Sequence, residues 1–322
     1  MRALVQSGFG SPGRVALQEV PQPVPGHDEL LVRVQAAGLN AADRFLLRGE
    51  PFAARALAGG LRKPRAGFIA GRALAGRVEA VGDAVRDFAP GDEVLAEVTS
   101  AIAEFAVVRA GMAARIPVGV TFAEAAALPI AGATALAGVR RVDGGQRFLV
   151  TGASGGVGTF AVQLAAAKGA IVTGVCSDRN SALVRKLGAE QIIDYEKTTA
   201  GDLGAAGERF DVILDLAGNY PVAALRRILA TGGTLLLSVG TGGRWFGPAR
   251  RMIKALITGG SQVRPLNVRP NPADLSELAA MIATGRIRPA IEDIYRFDEA
   301  PAALDRIDRG GFAGKIIVAV AE

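Results

Sequence analysis

The chain has 322 residues but one cysteine, one histidine and one tryptophan, and only 5% of it is aromatic. With Cys176 alone, no internal disulfide can form, and no zinc site with two cysteines can be built. Cys176 lies in the apolar run AIVTGVCS, where a buried small side chain is the expected reading. His27 sits in a Pro/Gly turn and reads as a surface residue. No apolar run is long enough to span a bilayer, because the stretch Gly119–Val139 is interrupted by Glu124 and Pro129. The start, MRALVQSGFG, lacks the apolar centre of a signal peptide, so a cytoplasmic protein is expected. Low-complexity tracts and repeats of 20–50 residues are absent too. The net charge is +6, but the arginines are scattered among alanines and acids. Without a basic cluster, nucleic acid is not an expected partner, nor is a membrane.

What is present is organised in two styles. A chain of this length exceeds one ordinary core. The first hundred residues carry short strand-like runs at Leu30–Ala36, Ala75–Val81, Glu93–Glu97 and Glu104–Arg109. Pro and Gly punctuate them, which predicts an antiparallel, barrel-like β domain. Near Pro117 the pattern changes. Thr121 with Glu124 makes a capping box, and strands then alternate with helices. Strands are expected at Phe148–Val150, Ile171–Cys176, Phe210–Leu214 and Thr234–Val239. Helices are expected at Gly158–Lys168, Asn180–Leu187 and Val222–Leu229. Such alternation predicts a parallel sheet covered on both faces. A helix at Ala273–Thr284 precedes a last apolar run, Lys315–Val320, which can return to the first domain as a strand. The expected division is 1–117 for the first part of a β-rich substrate domain, 118–260 for an inserted dinucleotide-binding domain, and 261–322 for the return.

One segment carries a chemical signal. Arg147–Thr151 reads as a strand that runs into Gly152-Ala153-Ser154-Gly155-Gly156-Val157-Gly158 and then into a helix. Glycines let the backbone approach a pyrophosphate, and the helix start presents free N–H groups and a positive dipole end. Gly152, Ser154, Gly155, Gly156, Val157 and Gly158 are therefore candidate cofactor contacts, in the strand and helix context that the motif requires. The next strand ends Cys176-Ser177-Asp178-Arg179-Asn180. An acid there usually holds the ribose hydroxyls of NAD. Ser177 and Arg179 suit a 2′-phosphate, while Asp178 argues for NADH. NADPH is the expected cofactor and NADH the second choice. Ser177 could also cap the following helix.

At this point the chain resembles the zinc-free, quinone-oxidoreductase-like branch of the medium-chain dehydrogenase/reductase superfamily. The resemblance runs through Ala36-Ala37-Gly38-Leu39-Asn40-Ala41-Ala42-Asp43, Ala75–Gly82, Phe88–Val94 and Glu124–Pro129. It continues through the glycine segment, Leu187-Gly188-Ala189, Ile193-Asp194-Tyr195 and Gly314-Lys315. It implies a Rossmann domain, a doubly wound parallel sheet, inserted in a GroES-like β-rich substrate domain. Zinc-dependent members carry cysteine at the place of Asn40 and Gly-His-Glu at the place of Gly71-Arg72-Ala73, so no metal is expected here. Zinc-free relatives often have an acid at the place of Ala73, which this chain lacks. The resemblance further implies Thr134 near the nicotinamide ribose; Tyr195 is expected to pack on the adenosine end, and Gly240, after the strand Thr234–Val239, to let the backbone approach the nicotinamide. The resemblance places Lys315 at the start of the last strand. It also suggests a homodimer, through an edge strand near Leu235–Val239.

The expected reaction is NADPH-dependent reduction of a quinone or an α,β-unsaturated carbonyl, with a small molecule as substrate. Conjugated acceptors need less help from a Lewis acid, because the added hydride leaves a delocalised anion. Asn40 is the first candidate for a donor to that anion, with Lys315 as the second catalytic candidate. A turn-forming role for Asn40 and an edge charge for Lys315 are the structural alternatives. Two other readings stand beside this one: a cofactor-binding sensor or interaction protein with little catalysis, and an enoyl reductase within a larger assembly.

Overall fold

The computed structural model describes residues 1–52, 54–205, 207–238, 255, 260–266, 268 and 271–321. The chain divides into two compact units, one made of Met1–Ala133 with Arg269–Glu322 and the other of Thr134–Val268.

In the first unit, β1 (Arg2–Gln6) and β2 (Val15–Glu19) form an antiparallel ribbon. The main sheet uses β3 (Glu29–Leu39), β4 (Ala73–Val81), β5 (Glu93–Glu97), β6 (Phe105–Arg109) and β7 (Ala113–Arg115). β3 pairs antiparallel with both β4 and β6. Leu30, Val32, Val34, Leu74 and Val94 fill the core beneath them. Two segments expected as part of the nucleotide domain belong here. The helix Phe122–Ala126 has the capping box read from the sequence. Thr121 Oγ1 accepts from the Glu124 amide at 3.2 Å, and the Glu124 carboxylate accepts from Thr121 N at 3.0 Å. That helix lies against β3, so a Cβ on Gly38 would stand 2.1 Å from the Ala126 carbonyl oxygen. The division thus falls at Thr134 and not at 118, because packing on β3, not the capping signal, decides which unit owns the helix. A π-helical turn follows at Leu128–Gly132, where Pro129 has no N–H to give.

The second unit is built on six parallel strands: β8 (Arg147–Thr151), β9 (Ile171–Cys176), β10 (Gln191–Asp194), β11 (Phe210–Asp215), β12 (Leu229–Leu237) and β13 (Val263–Pro265). They lie in the order β10-β9-β8-β11-β12-β13. Counted from the first, this is 3-2-1-4-5-6, the doubly wound Rossmann order. Phe148, Leu149, Val150, Val172, Val175, Ile213 and Leu235 are buried, as strands covered on both faces require. The expected strand Thr234–Val239 starts earlier, at Leu229. It is no free edge over its last turn of pairing, since Leu235, Leu236 and Leu237 pair with Val263, Arg264 and Pro265 of β13. An edge contact between two copies along Leu235–Leu237 is therefore ruled out, because its backbone groups are already bonded.

The chain then returns to the first unit. The helix Pro272–Ala283 is followed by β14 (Ile291–Arg296), the helix Ala300–Arg309 and β15 (Lys315–Ala319). β15 pairs antiparallel with β3, from Ile316↔Leu39 to Ala319↔Ala36, and parallel with β14. The GroES-like unit is thus completed by the last strand of the chain. No helix among the described residues is long and apolar enough to cross a membrane.

Candidate functional site

Two constellations stand out, one in each unit. In the second unit they are set by the glycine loop. Gly152 takes φ +68°, which closes the turn at the end of β8. A Cβ on Gly158 would lie 2.1 Å from the Gly152 oxygen and 2.7 Å from Ala153 Cα, so the helix start and the loop touch backbone to backbone. Gly155 differs: its φ is −80°, and its Cβ would meet only the Gly152 oxygen at 3.4 Å. One side of Gly155 is therefore open for a ligand. The helix Gly156–Ala167 starts there, with its first intrahelical bond running from Thr159 N to Gly155 O at 2.9 Å. The amides of Gly156, Val157 and Gly158 are the first-turn donors that such a start leaves free for an anion. The loop fits a dinucleotide pyrophosphate.

β8 and β11 are the strands where the order reverses, the place at which doubly wound sheets bind ligands. Here Thr151 and Asp215, paired in register, are fully buried. Thr151 Oγ1 donates to Asp215 Oδ1 at 2.6 Å and accepts from Leu216 N at 3.0 Å and Ala217 N at 3.2 Å. Asp215 Oδ1 also accepts from Gly218 N at 3.0 Å. This pair fixes the exit of β11 beside the glycine loop. Sequence reading missed it, although a polar residue ending each of two apolar strands was a visible signal.

At the end of β9, Ser177 is buried and makes no capping bond with its side chain, so the capping role is absent. Asp178 and Arg179 are exposed. Asn180, not singled out from the sequence, donates from Nδ2 to Ser154 Oγ at 3.1 Å and ties this end to the glycine loop. Tyr195 follows β10 and is 39% exposed, with its backbone N donating to the Cys176 oxygen at 3.3 Å. Cys176 is buried, and burial raises its thiol to about 11, as suits an inert core residue. The glycine loop, Ser177, Arg179 and Tyr195 thus gather at the carboxyl ends of neighbouring strands. Thr134 is half-buried in the helix Ala133–Val139 of the same unit. Gly240 and Val239 lie outside the described residues.

The first unit holds a buried polar cluster. Asn40 stands between β3 and the helix Ala41–Arg48, and Lys315 begins β15 directly beside it. Lys315 Nζ donates to Leu39 O and to Asn40 Oδ1, both at 2.5 Å, and the lysine is 1% exposed. It is a core residue, not an edge charge. The Asn40 amide faces Lys315 with its oxygen, while Nδ2 donates to Gly38 O at 2.8 Å. One of the two amide hydrogens expected for a substrate anion is thus committed to the backbone.

A third member, Asp43, was missed by sequence reading. It is 3% exposed, and Oδ2 accepts from Asn40 N at 2.7 Å, closing the start of the helix. Burial pushes its carboxyl up to about 6, against the pull of the Asn40 bond and the Lys315 charge. Burial likewise lowers Lys315 to about 7, with Asp43 opposing. Arg72 adds a positive field at Asp43 and pairs with Glu97. The signal for Asp43 was its place at the third position of a helix capped by Asn40. His27 is exposed and pairs with Asp83. Among the described residues, no three His, Cys, Asp or Glu side chains come together as metal ligands would.

The profile of an alcohol dehydrogenase GroES-like domain matches residues 26–168, and that of a zinc-binding dehydrogenase matches residues 187–318. A chloroplast envelope quinone oxidoreductase homolog of Arabidopsis thaliana is 31% identical over 336 residues, covering 99% of this chain and 98% of its own. The mitochondrial NAD(P)H oxidoreductase RTN4IP1 of Danio rerio is 32% identical over 329 residues, covering 92% of this chain and 84% of its own. Among solved structures, the quinone oxidoreductase from Coxiella burnetii superposes with a TM-score of 0.88 at 28% identity, over 100% of this chain and 99% of that one.

Proposed function

The chain belongs to the quinone-oxidoreductase-like branch of the medium-chain dehydrogenase/reductase superfamily, and from that premise we propose that this NAD(P)H-dependent oxidoreductase is a zinc-independent reductase of quinones or α,β-unsaturated carbonyls that prefers NADPH. The observation that carries the proposal is the buried Lys315–Asn40 pair with Asp43. Asn40, Arg72 and Ala73 stand where zinc-dependent members have their ligands, and an amide, a guanidinium and a methyl cannot hold Zn²⁺ in their place.

The glycine loop and the first turn of Gly156–Ala167 would hold the pyrophosphate. Ser177 and Arg179 would hold the 2′-phosphate, Tyr195 the adenosine end, and Thr134 and Gly240 the nicotinamide side. When bound, the nicotinamide supplies the hydride. The protein supplies orientation and a place for charge. Asn40 keeps one amide hydrogen for a developing oxyanion, and its carbonyl end is fixed by Lys315. Burial brings the Lys315 ammonium down to about 7, so that near neutral pH it can release a proton as well as hold one. A simple alcohol would have to lose a proton as well as a hydride, and Asn40, Arg72 and Ala73 supply no ligand set for a zinc ion that would acidify it. We further propose that the protein works in the cytoplasm as a homodimer, through a face other than Leu235–Leu237.

The test is a panel of quinones, enones and saturated alcohols with NADPH or NADP⁺ followed optically. Deuterium from labelled NADPH is expected at the β carbon of an enone. Asn40→Ala is expected to lower turnover by about 100-fold or more while NADPH affinity stays unchanged. Efficient alcohol oxidation would defeat the mechanism. Intact NADPH binding with silence across the panel would favour the sensor reading.

A further inference from the structure

The end of β9 presents a contradiction: Asp178 stands where an acid would accept the ribose hydroxyls of NADH, next to residues suited to a 2′-phosphate. The structure shows what holds that acid. Lys197 lies in the turn after β10, and its Nζ is 3.3 Å from Asp178 Oδ2 and 3.3 Å from Asp194 Oδ2.

The turn that carries Lys197 is firmly built. Lys197 N and Thr198 N donate to the Asp194 carbonyl at 3.2 and 2.9 Å, and Glu196 N donates to Asp194 Oδ1 at 3.0 Å. Asp194 itself is anchored in β10, opposite Cys176 of β9. Its carboxylate therefore acts as a fixed bracket that points Lys197 across to Asp178. Both Asp178 and Lys197 are more than two-thirds exposed, so a bound cofactor can reach them. Arg179 is exposed and makes no ion pair with any described residue.

We propose that Lys197 sets cofactor choice by masking Asp178: it occupies the carboxylate that would otherwise take the ribose hydroxyls and repel a 2′-phosphate. Lys197 is thus a positioning residue acting through Asp178. The ammonium is held charged by these two carboxylates, Asp178 first, which raise it above the ordinary lysine range. Without it, a phosphate dianion at Arg179 would face two uncompensated carboxylates.

This inference rests on the NADPH reading above. The experiment titrates NADPH and NADH separately, by calorimetry, into the wild type, Lys197→Ala, Lys197→Arg, Asp178→Asn and the Lys197→Ala/Asp178→Asn double variant. Thermal melting first confirms that each variant is folded. Lys197→Ala should weaken NADPH about tenfold and leave NADH unchanged or tighter. Asp178→Asn in that background should restore most of the NADPH affinity, and Lys197→Arg should keep the wild-type ratio. Equal weakening of both cofactors would mean that Lys197 only braces the turn. Failure of Asp178→Asn to rescue would mean that Lys197 does not act through Asp178. Either result overturns the proposal. The NADPH reading fails separately, if the wild type binds NADH as tightly as NADPH. The masking proposal is then still decided by the change in ratio between variants.

Discussion

Replacing Gly158 and Gly155 by alanine, one at a time, should separate packing from ligand approach. At Gly158 the new methyl would stand 2.1 Å from the Gly152 oxygen, 2.7 Å from Ala153 Cα and 2.8 Å from Ala153 C. All three are backbone atoms at the end of the central strand, so no rotamer change relieves the overlap. The helix must shift by about 1 Å or more, since carbon and oxygen pack near 3.5 Å. Overpacking of this kind costs about 1–3 kcal/mol, or a drop of roughly 3–10 °C in melting temperature for a unit of this size. Cofactor binding should fall with it, because the first-turn amides move off the pyrophosphate position. At Gly155 the methyl would meet only one atom, at 3.4 Å, in a backbone conformation open to any residue. Gly155→Ala should therefore melt like the wild type, within about 0.5 kcal/mol. It should still lose NADPH affinity by tenfold or more, as the methyl fills the approach side. Differential scanning calorimetry and NADPH titration read the two effects independently. Full NADPH affinity in a folded Gly155→Ala would refute the assignment of the loop. A Gly158→Ala that melts like the wild type would refute the packing argument.

Three other outcomes are expected. Arg179→Ala should erase most of the NADPH preference, since a charge-assisted bond to phosphate is worth about 1.5–3 kcal/mol; an unchanged preference by titration would place the phosphate elsewhere. The purified protein should hold well below one zinc per chain after dialysis against chelator, and elemental analysis near one zinc would overturn the zinc-independent reading. The rate should fall as pH rises through about 7, because Lys315 then loses the proton that the product needs. Lys315→Met should flatten that limb and lower turnover by about 100-fold. A pH–rate profile unchanged in that variant would remove Lys315 from the chemistry.

Much of this was legible in the sequence because local rules and tertiary structure agree. Glu93–Glu97 and Ile171–Cys176 are strands to the residue, and the Thr121–Glu124 capping box forms as written. The glycine segment was legible because Gly152 and Gly158 answer backbone demands, a left-handed turn and a close backbone contact. What escaped depends on partners far away in sequence. Nothing near Asn40 announces Lys315, and nothing near Asp178 announces Lys197. The ribbon strands β1 and β2 and the parallel neighbour β14 also escaped. β14 is mostly exposed and lacks the apolar run by which buried strands are read. The unit boundary was misplaced because a capping box marks where a helix begins, not what it packs on.

The pairing of β15 with β3 has a consequence for how the protein is made. Lys315 meets Asn40 across 275 positions of chain, one of the longest-range contacts in the molecule. Contacts of such separation form late, because a long loop must first be closed. The sheet of the second unit, by contrast, uses strands that all lie between Arg147 and Pro265. On the ribosome that unit can be complete while β3 still has an open edge and Asp43 has no ammonium beside it. The glycine loop proposed for the nucleotide can therefore be in place before the buried polar cluster exists, since that cluster is closed only when β15 pairs with β3.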